Sequence, residues 1–431
     1  MTPSARISAV IELVAAIEAA PRKPADAVAN LFFRERRYIG SGDRRAVSDR
    51  CWAVIRGRRR LAWWLERAEL PVNPRLLVAA SLMLDGWVVG GLVQSFSGGQ
   101  YGPTKLSAAE QAALAELEGH TLTHPKMPQA VKLELPDWIL PLLRARFGHA
   151  LNAEIAAMES EAPLDLRVNL LKGTLVEAQA ALAAEGIEAV PMPLSPWGLR
   201  VAGRRPVTTG KAFQTGLVEI QDEGSQLVAA LVGALPEMRV VDWCAGAGGK
   251  TLALAMSMQN RGHVVACDVS APRLEGAVRR LRRAGVHNVE RHLVEPGDKW
   301  AKRRAGTFDR VLVDAPCTGT GTWRRNPDAR QRLAERDLSE LVEKQGAILA
   351  QAARLVRKGG RVVYATCSLL TEENEAQVER FLAAHPEFAV VPLARAWHLA
   401  APVPGDGPYL ALTPRAHGTD GFFAAVLERV G

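Results

Sequence analysis

Five cysteines stand among the 431 residues, Cys51, Cys244, Cys267, Cys317 and Cys367, and no two form a CxxC pair. So odd, sparse and spread a set argues against a disulfide framework or a structural metal site, and fits a reducing compartment, the cytoplasm. Two of them follow apolar runs that read as strands, Leu312-Val313-Asp314-Ala315-Pro316-Cys317 and Tyr364-Ala365-Thr366-Cys367. In a doubly wound sheet of order 3-2-1-4-5 these are the neighbouring fourth and fifth strands, and ligands bind beyond their carboxyl ends. Both thiols are therefore expected in one crevice. Cys51, Cys244 and Cys267 read instead as small buried hydrophobes.

The strand expected at the centre of that sheet ends in Asp242-Trp243-Cys244-Ala245-Gly246-Ala247-Gly248-Gly249-Lys250-Thr251. A glycine-rich turn between strand and helix brings backbone close to a ligand and aims helix N–H groups at it. A Walker A phosphate loop needs glycine where Cys244 stands, and a dinucleotide fingerprint needs glycine where Thr251 stands. Both fail. An adenosine-containing cofactor still fits, because Asp268 follows the second strand, where a carboxylate can accept bonds from both ribose hydroxyls. The loop residues Cys244, Ala245, Gly246, Ala247, Gly248, Gly249 and Lys250, with Asp268 and Asp314, form the expected cofactor site.

A thiolate beside such a cofactor suits methyl transfer to carbon 5 of a pyrimidine. Carbon 5 is a poor nucleophile until a thiolate adds to carbon 6 and makes the ring enamine-like; a base then removes the carbon 5 proton and the thiol leaves. The nucleophile needs nearby positive charge or a helix N-terminus. Asp314, at the strand edge, is placed to hold the base by hydrogen bonds.

Three segments must position these residues. Residues 1–145 read as all helix. Residues 146–235 read as a small α+β unit, with strands at Asp165–Asn169, Val190–Val201 and Gly216–Gln221 and a helix at Leu175–Glu185. Residues 236–431 alternate strand and helix in the pattern of an open parallel sheet, a Rossmann-like α/β domain. Its strands are expected at Val240–Asp242, His263–Cys267, Val289–Leu293, Arg310–Val313 and Arg361–Ala365. Its helices are expected at Thr251–Met258, Arg273–Ala284, Leu338–Val356 and Glu372–Ala384, with a closing hairpin of Tyr409–Thr413 and Phe422–Leu427. The spacing of Ile7, Val10, Ile11, Val14 and Ile17 makes the N-terminus a helix, not a signal peptide. The apolar stretch Leu76–Val93, broken by Asp85 and Gly86, reads as core helix and not as a membrane span.

Charged residues make up 23% and hydrophobic ones 48%, an ordinary globular balance. The net charge of +8 is uneven: residues 1–150 carry +6 and the rest +2. A basic N-terminal third favours a polyanion such as nucleic acid. Arg56-Gly57-Arg58-Arg59-Arg60, followed by Trp63 and Trp64, reads equally as a solvated arginine face or as a phosphate-contacting surface. Arg324 and Arg325, just past the fourth strand, carry the same two readings.

On these motifs the chain resembles the Sun/RsmB family of S-adenosylmethionine-dependent RNA cytosine-5 methyltransferases, over nearly its whole length. The family's DxCAAPGGKT is DWCAGAGGKT at 242–251, its DAPCSGxG is DAPCTGTG at 314–321, and its YATCSxxxEEN stands in full at 364–374. RVNLLKGT at 167–174, EIQDEGSQL at 219–227 and HGTDGFF at 417–423 are similar to further family segments, although helix capping by Asp222 or Ser225 would also explain the second. Residues 43–65 look like part of the NusB-like RNA-binding domain of bacterial members. The resemblance implies that Cys367 is the nucleophile, that Cys317 assists release of the product, and that the substrate is RNA, most naturally small-subunit rRNA, methylated by a monomer. Two departures stand out. The loop proline is Ala247, and the acid expected near the adenine is either Glu295 or Asp298, with spacing favouring Glu295. The alternatives are a tRNA methyltransferase or a non-catalytic NusB-like assembly factor. A DNA cytosine-5 enzyme would use the Pro-Cys thiol as nucleophile and has no need of Cys367, and an exocyclic-amine enzyme would carry an Asn/Asp-Pro-Pro-Tyr/Phe loop.

Overall fold

The computed structural model describes residues 1–203 and 205–431. Their contacts group into two compact units, Met1–Glu159 with Arg325–Ala334, and Ser160–Arg324 with Glu335–Gly431. The helical unit therefore runs past the expected end at 145, through the helix Leu151–Glu159, and takes in ten residues from beyond the DAPC loop. No helix among the described residues is long and apolar enough to cross a membrane.

In the first unit, amphipathic helices bury one face in a common core. The helix Pro3–Glu18 starts where Thr2 accepts from Ala5 N, and Ile7, Val10, Leu13, Val14 and Ile17 face inward. The stretch expected as one core helix is two, Pro74–Leu84 and Val89–Ser95. They are separated at Asp85 and Gly86, where Gly86 takes a positive φ of 91°.

The second unit holds two sheets. The smaller one pairs Leu164–Val168 between Gly198–Val201 and Val218–Ile220, with Ala189–Pro191 on the outer edge, all antiparallel. The strand expected over 190–201 is thus two short strands with a turn between them. The helix Leu175–Ala184 packs on this sheet behind a Thr174/Glu177 capping box.

The larger sheet has eight strands: β1 Arg239–Asp242, β2 His263–Asp268, β3 Val289–Leu293, β4 Phe308–Asp314, β5 Val356–Thr366, β6 Phe388–Val391, β7 Leu410–Leu412 and β8 Phe422–Arg429. The order is β6-β8-β5-β4-β1-β2-β3, with β7 paired to β8. The five strands from β5 to β3 are parallel, as expected, and β8 is antiparallel to β5, β6 and β7. β6 is an addition to the expected set. The helices that matter to the site are α1 Glu223–Leu231, α2 Gly249–Ser257, α3 Ala271–Ala284, α4 Glu335–Ala353 and α5 Glu375–Ala384. α4 ends before Val356, which opens β5. α5 begins at Glu375 because residues 371–373 form a separate tight turn. Asp222 caps α1, its Oδ1 accepting from Gly224 N at 2.8 Å.

Candidate active site

Register decides where the two thiols lie. β4 and β5 run parallel with Val313 opposite Tyr364 and Asp314 opposite Ala365, so the DAPC and TCS loops leave the sheet at one level. The Cys317 and Cys367 sulfurs stand 3.4 Å apart, within reach of an S–H···S contact. Strand order and register thus bring two cysteines fifty residues apart in sequence to one level.

Glu373 holds the two loops together. It is fully buried, and its carboxylate accepts from Thr318 N at 2.9 Å, from Gln345 Nε2 at 2.8 Å, and from the hydroxyls of Thr318 and Ser368. Gln345, on α4, also donates to Pro316 O at 2.9 Å. Asn374 accepts from Thr366 Oγ1 at 2.6 Å and donates to Ser368 O at 2.9 Å. The sequence reading took the EEN triplet as a family marker and missed this role. The signal available was two polar residues six and seven positions past a cysteine, on a segment that must be buried against the neighbouring loop.

Beside the thiols, Lys250 donates to Asp314 Oδ2 at 2.7 Å, and its ammonium lies over the Phe422 ring. Asp314 and the Cys367 sulfur raise the Lys250 pKa in spite of burial, so the lysine stays charged. The hydrogen bond to Cys367, then burial, push the Cys317 thiol well above the usual cysteine range. Burial raises Cys244 and Cys267 as well and holds Cys51 at about 12, which keeps these three as inert packing residues.

A cavity of about 520 Å³ opens next to this group. Cys244, Ala245, Gly246 and Ala247 of the glycine turn form one wall, Asp268, Val269 and Arg273 another, and Asp314 with Pro316 a third. Trp243, Val294, Lys344, Ile348 and Gln351 complete it, the last four being contributors that the sequence reading did not single out. Gly246, at φ 55°, has open space where a Cβ would stand, so its turn leaves room for a ligand against the backbone. Asp268 orders this turn, accepting from Gly246 N and Ser270 N at 2.8 Å each. Behind it Asp242 is wholly buried; Oδ2 accepts from Thr251 Oγ1 at 2.7 Å and Oδ1 has no hydrogen-bond partner among the described residues. Apolar walls, two lining carboxylates and an unsatisfied buried one fit a cationic adenosine such as S-adenosylmethionine.

Gly248, Gly249 and Lys250, expected in the cofactor site, are not among the residues that line the cavity. Glu295 is exposed, while Val294 faces the cavity in its place. Asp298 is engaged elsewhere, with His292 Nε2 at 2.6 Å and Trp300 N at 2.8 Å. Arg324, read as a candidate phosphate contact, is buried: its Nε bonds Asp420, its Nη2 lies 3.5 Å from Asp222 and donates to Gly418 O at 3.2 Å. It ties the HGTDGFF segment to the start of α1. The arginines at 58–60 are likewise spent inside the helical unit. Arg58 pairs with Glu18 at 2.7 Å, Arg59 donates to Leu135 O and reaches Asp137, and Arg60 bonds Glu134 at 3.0 Å and Glu159 at 3.2 Å. The solvated-face and phosphate-surface readings both give way here to intramolecular pairing.

Comparison with known proteins agrees with this architecture. A family model for the 16S rRNA methyltransferase RsmB/F matches residues 230–428, and one for the RsmF/B-like ferredoxin-like domain matches residues 135–208. The chain is 34% identical over 321 residues to a probable ribosomal RNA small subunit methyltransferase B of Synechocystis, covering 73% of this chain and 71% of that one. It is 32% identical to ribosomal RNA small subunit methyltransferase B of Xanthomonas campestris pv. campestris, covering 89% of each. Among solved structures, PH0851 superposes with a TM-score of 0.80 at 27% identity over 99% of both chains. A methyltransferase homolog from Pyrococcus horikoshii gives 0.61 at 27% identity, over 71% of this chain and 100% of that one. Glycine turn, paired strand-end loops and full-length similarity together place the chain in the RsmB/F family of S-adenosylmethionine-dependent rRNA methyltransferases.

Proposed function

We propose that this chain methylates carbon 5 of a cytidine in small-subunit rRNA, in the cytoplasm, through a covalent bond between Cys367 and carbon 6 that Cys317 helps to resolve. The observation that carries this reading is the 3.4 Å separation of the two sulfurs beside the Lys250–Asp314 pair. The domain roles are those expected for 1–145, 146–235 and 236–431, with the first extended to Glu159 and Arg325–Ala334: a NusB-like RNA-binding domain, a substrate-side domain and the methyltransferase.

The cavity residues Gly246, Asp268 and Asp314 would hold S-adenosylmethionine, which supplies an electron-poor methyl group when bound. Asp314, held by the hydrogen bond from Lys250, accepts a hydrogen bond from the exocyclic amine or protonated ring nitrogen of the flipped-out cytosine. The Cys367 thiolate adds to carbon 6, and the carbon 5–carbon 6 π pair becomes available at carbon 5 for the new carbon–carbon bond. Cys317 stays protonated meanwhile, because the contact with the neighbouring sulfur and burial raise its pKa. Adduct formation turns that sulfur into a neutral thioether and removes the main cause of the raised Cys317 pKa. Cys317 then gives its own proton to solvent and, as thiolate, takes the carbon 5 proton; the ring double bond reforms, the carbon 6–sulfur bond breaks, and Cys367 leaves as thiolate. Two thiols thus work in sequence, the nucleophile first and the base second.

Cys367→Ala is expected to abolish methylation of an rRNA transcript while keeping cofactor binding by calorimetry. Cys317→Ala is expected to accumulate a protein–RNA adduct that survives a denaturing gel. Normal turnover by Cys317→Ala, or residual methylation by Cys367→Ala, overturns these roles.

A further inference from the structure

The arginines at 58–60 are taken up by intramolecular pairs, but the chain carries a second basic run. α3 carries Arg273, Arg279, Arg280, Arg282 and Arg283 against a single acid, Glu275, which Arg291 already engages at 3.1 Å. At about 100° per residue the five arginines sweep half of the helix, and Leu274, Ala277, Leu281 and Ala284 bury the opposite face. Two of the guanidinium groups are internal ties: Arg280 and Arg283 share Glu219 at 3.4 and 2.5 Å, and Arg280 also donates to Ala247 O at 2.9 Å. Arg279 and Arg282 are exposed and have no anionic partner among the described residues.

Basic residues in a last turn often serve the helix dipole. Here that need is met by others. Lys172 donates to Arg283 O at 2.5 Å, Asn169 Nδ2 to Ala284 O at 2.8 Å, and Asn260 Nδ2 to Gly285 O at 2.9 Å. The arginine face also adjoins the site. Arg280 packs on the glycine turn, its Nη2 3.6 Å from where a Cβ of Gly249 would lie, one residue before Lys250.

We propose that the outer face of α3, through Arg279 and Arg282, is a docking surface for the phosphate backbone of the substrate RNA next to the target nucleotide. The inference rests on the reading of the chain as an RNA methyltransferase and extends it to the surface that grips the substrate. Guanidinium forks fit phosphate oxygens and carry no sequence information, so this surface supplies affinity and register while the pocket chooses the base.

The test is the double variant Arg279→Ala/Arg282→Ala in the full chain, with fluorescence-detected binding of an in vitro transcribed small-subunit rRNA between 0.05 and 0.3 M salt. Loss of two phosphate contacts should weaken binding roughly thirtyfold at about 0.15 M salt and flatten the log–log salt slope by about two. The RNA KM should rise with kcat unchanged, and S-adenosylmethionine binding by calorimetry should match the wild type, which shows that the exposed substitutions leave the fold intact. Unchanged affinity and unchanged slope overturn the proposal, even in an enzyme that methylates cytidine normally. A wild type that binds the transcript with the steeper slope but transfers no methyl group to carbon 5 would sink the catalytic reading and leave this surface standing.

Discussion

Asp242 shows at the level of one residue how the site trades stability for chemistry. Burial, with Asp314 and Asp268 nearby, pushes its carboxyl up to about 7 against the bond from Thr251. The folded chain therefore holds this proton more tightly than the unfolded chain does between about pH 4 and pH 7. The stability that this group contributes is complete below that window and is lost as pH rises through 7. Asp242→Asn removes the titration, so its thermal midpoint should fall less than that of the wild type between pH 5 and pH 8. Parallel curves for the two proteins would contradict the assignment. Legibility differed among residues for a physical reason. Cys317 and Cys367 were readable because strand ends in a parallel sheet share one edge. Lys250 was read as part of the cofactor loop, since nothing in its spacing reveals that its side chain reaches Asp314. Arg324 was misread because exposed and buried arginines look alike in sequence, and only Asp222 and Asp420, about a hundred residues away on either side, decide between them.

At the level of elements, the site consists of two loops fastened by a third. The strand order and the parallel register were legible from alternating apolar runs, and they bring the two cysteine loops to the same height. Register alone does not hold two flexible loops at a fixed sulfur separation. Glu373 does, with donors from the DAPC loop, the TCS loop and α4 converging on one buried carboxylate. This was not legible, because the expected helix over 372–384 would have turned Glu373 into an ordinary first-turn acid. The turn at 371–373 instead folds it under β5, with Tyr364 Oη donating to Glu373 O at 2.7 Å. Glu373→Ala leaves Thr318 N–H and the Gln345 amide without their acceptor and frees the loops. A displacement of about 1 Å between the reacting groups costs roughly a hundredfold in rate, so kcat should fall by about that factor with KM for S-adenosylmethionine little changed. Glu373→Gln, whose amide oxygen can still accept from Thr318 N and Gln345 Nε2 while its NH2 donates to the two hydroxyl oxygens, should recover most of kcat. Equal loss in both variants would mean that the charge, not the positioning, matters.

At the scale of the whole molecule, chain order and packing part company at residues 325–334. This stretch follows the DAPC loop directly, yet it belongs to the helical unit. Its clearest contribution is a helix cap. The helix Ala25–Glu35 begins after Pro24 and has no cap from its own neighbourhood; Asp328 Oδ2 accepts from Ala25 N at 3.1 Å instead. A carboxylate at that end satisfies an orphan N–H and meets the positive pole of the helix. Gln331 Nε2 adds a bond to Ile55 O at 2.8 Å, and Arg330 is buried nearby. The sequence reading gave residues 1–145 as a self-sufficient block because local periodicity reports helices but not which distant segment finishes their core. A capping side chain contributed from some three hundred residues away has no local signature. Asp328→Ala should therefore destabilise the helical unit by about 1 kcal/mol, the usual worth of such a cap. The loss should appear as faster amide exchange across residues 25–35, measured by mass spectrometry, with exchange in β1, β4 and β5 unaltered. Loosening confined to the large sheet, or none anywhere, would mean that Asp328 does not cap this helix in solution.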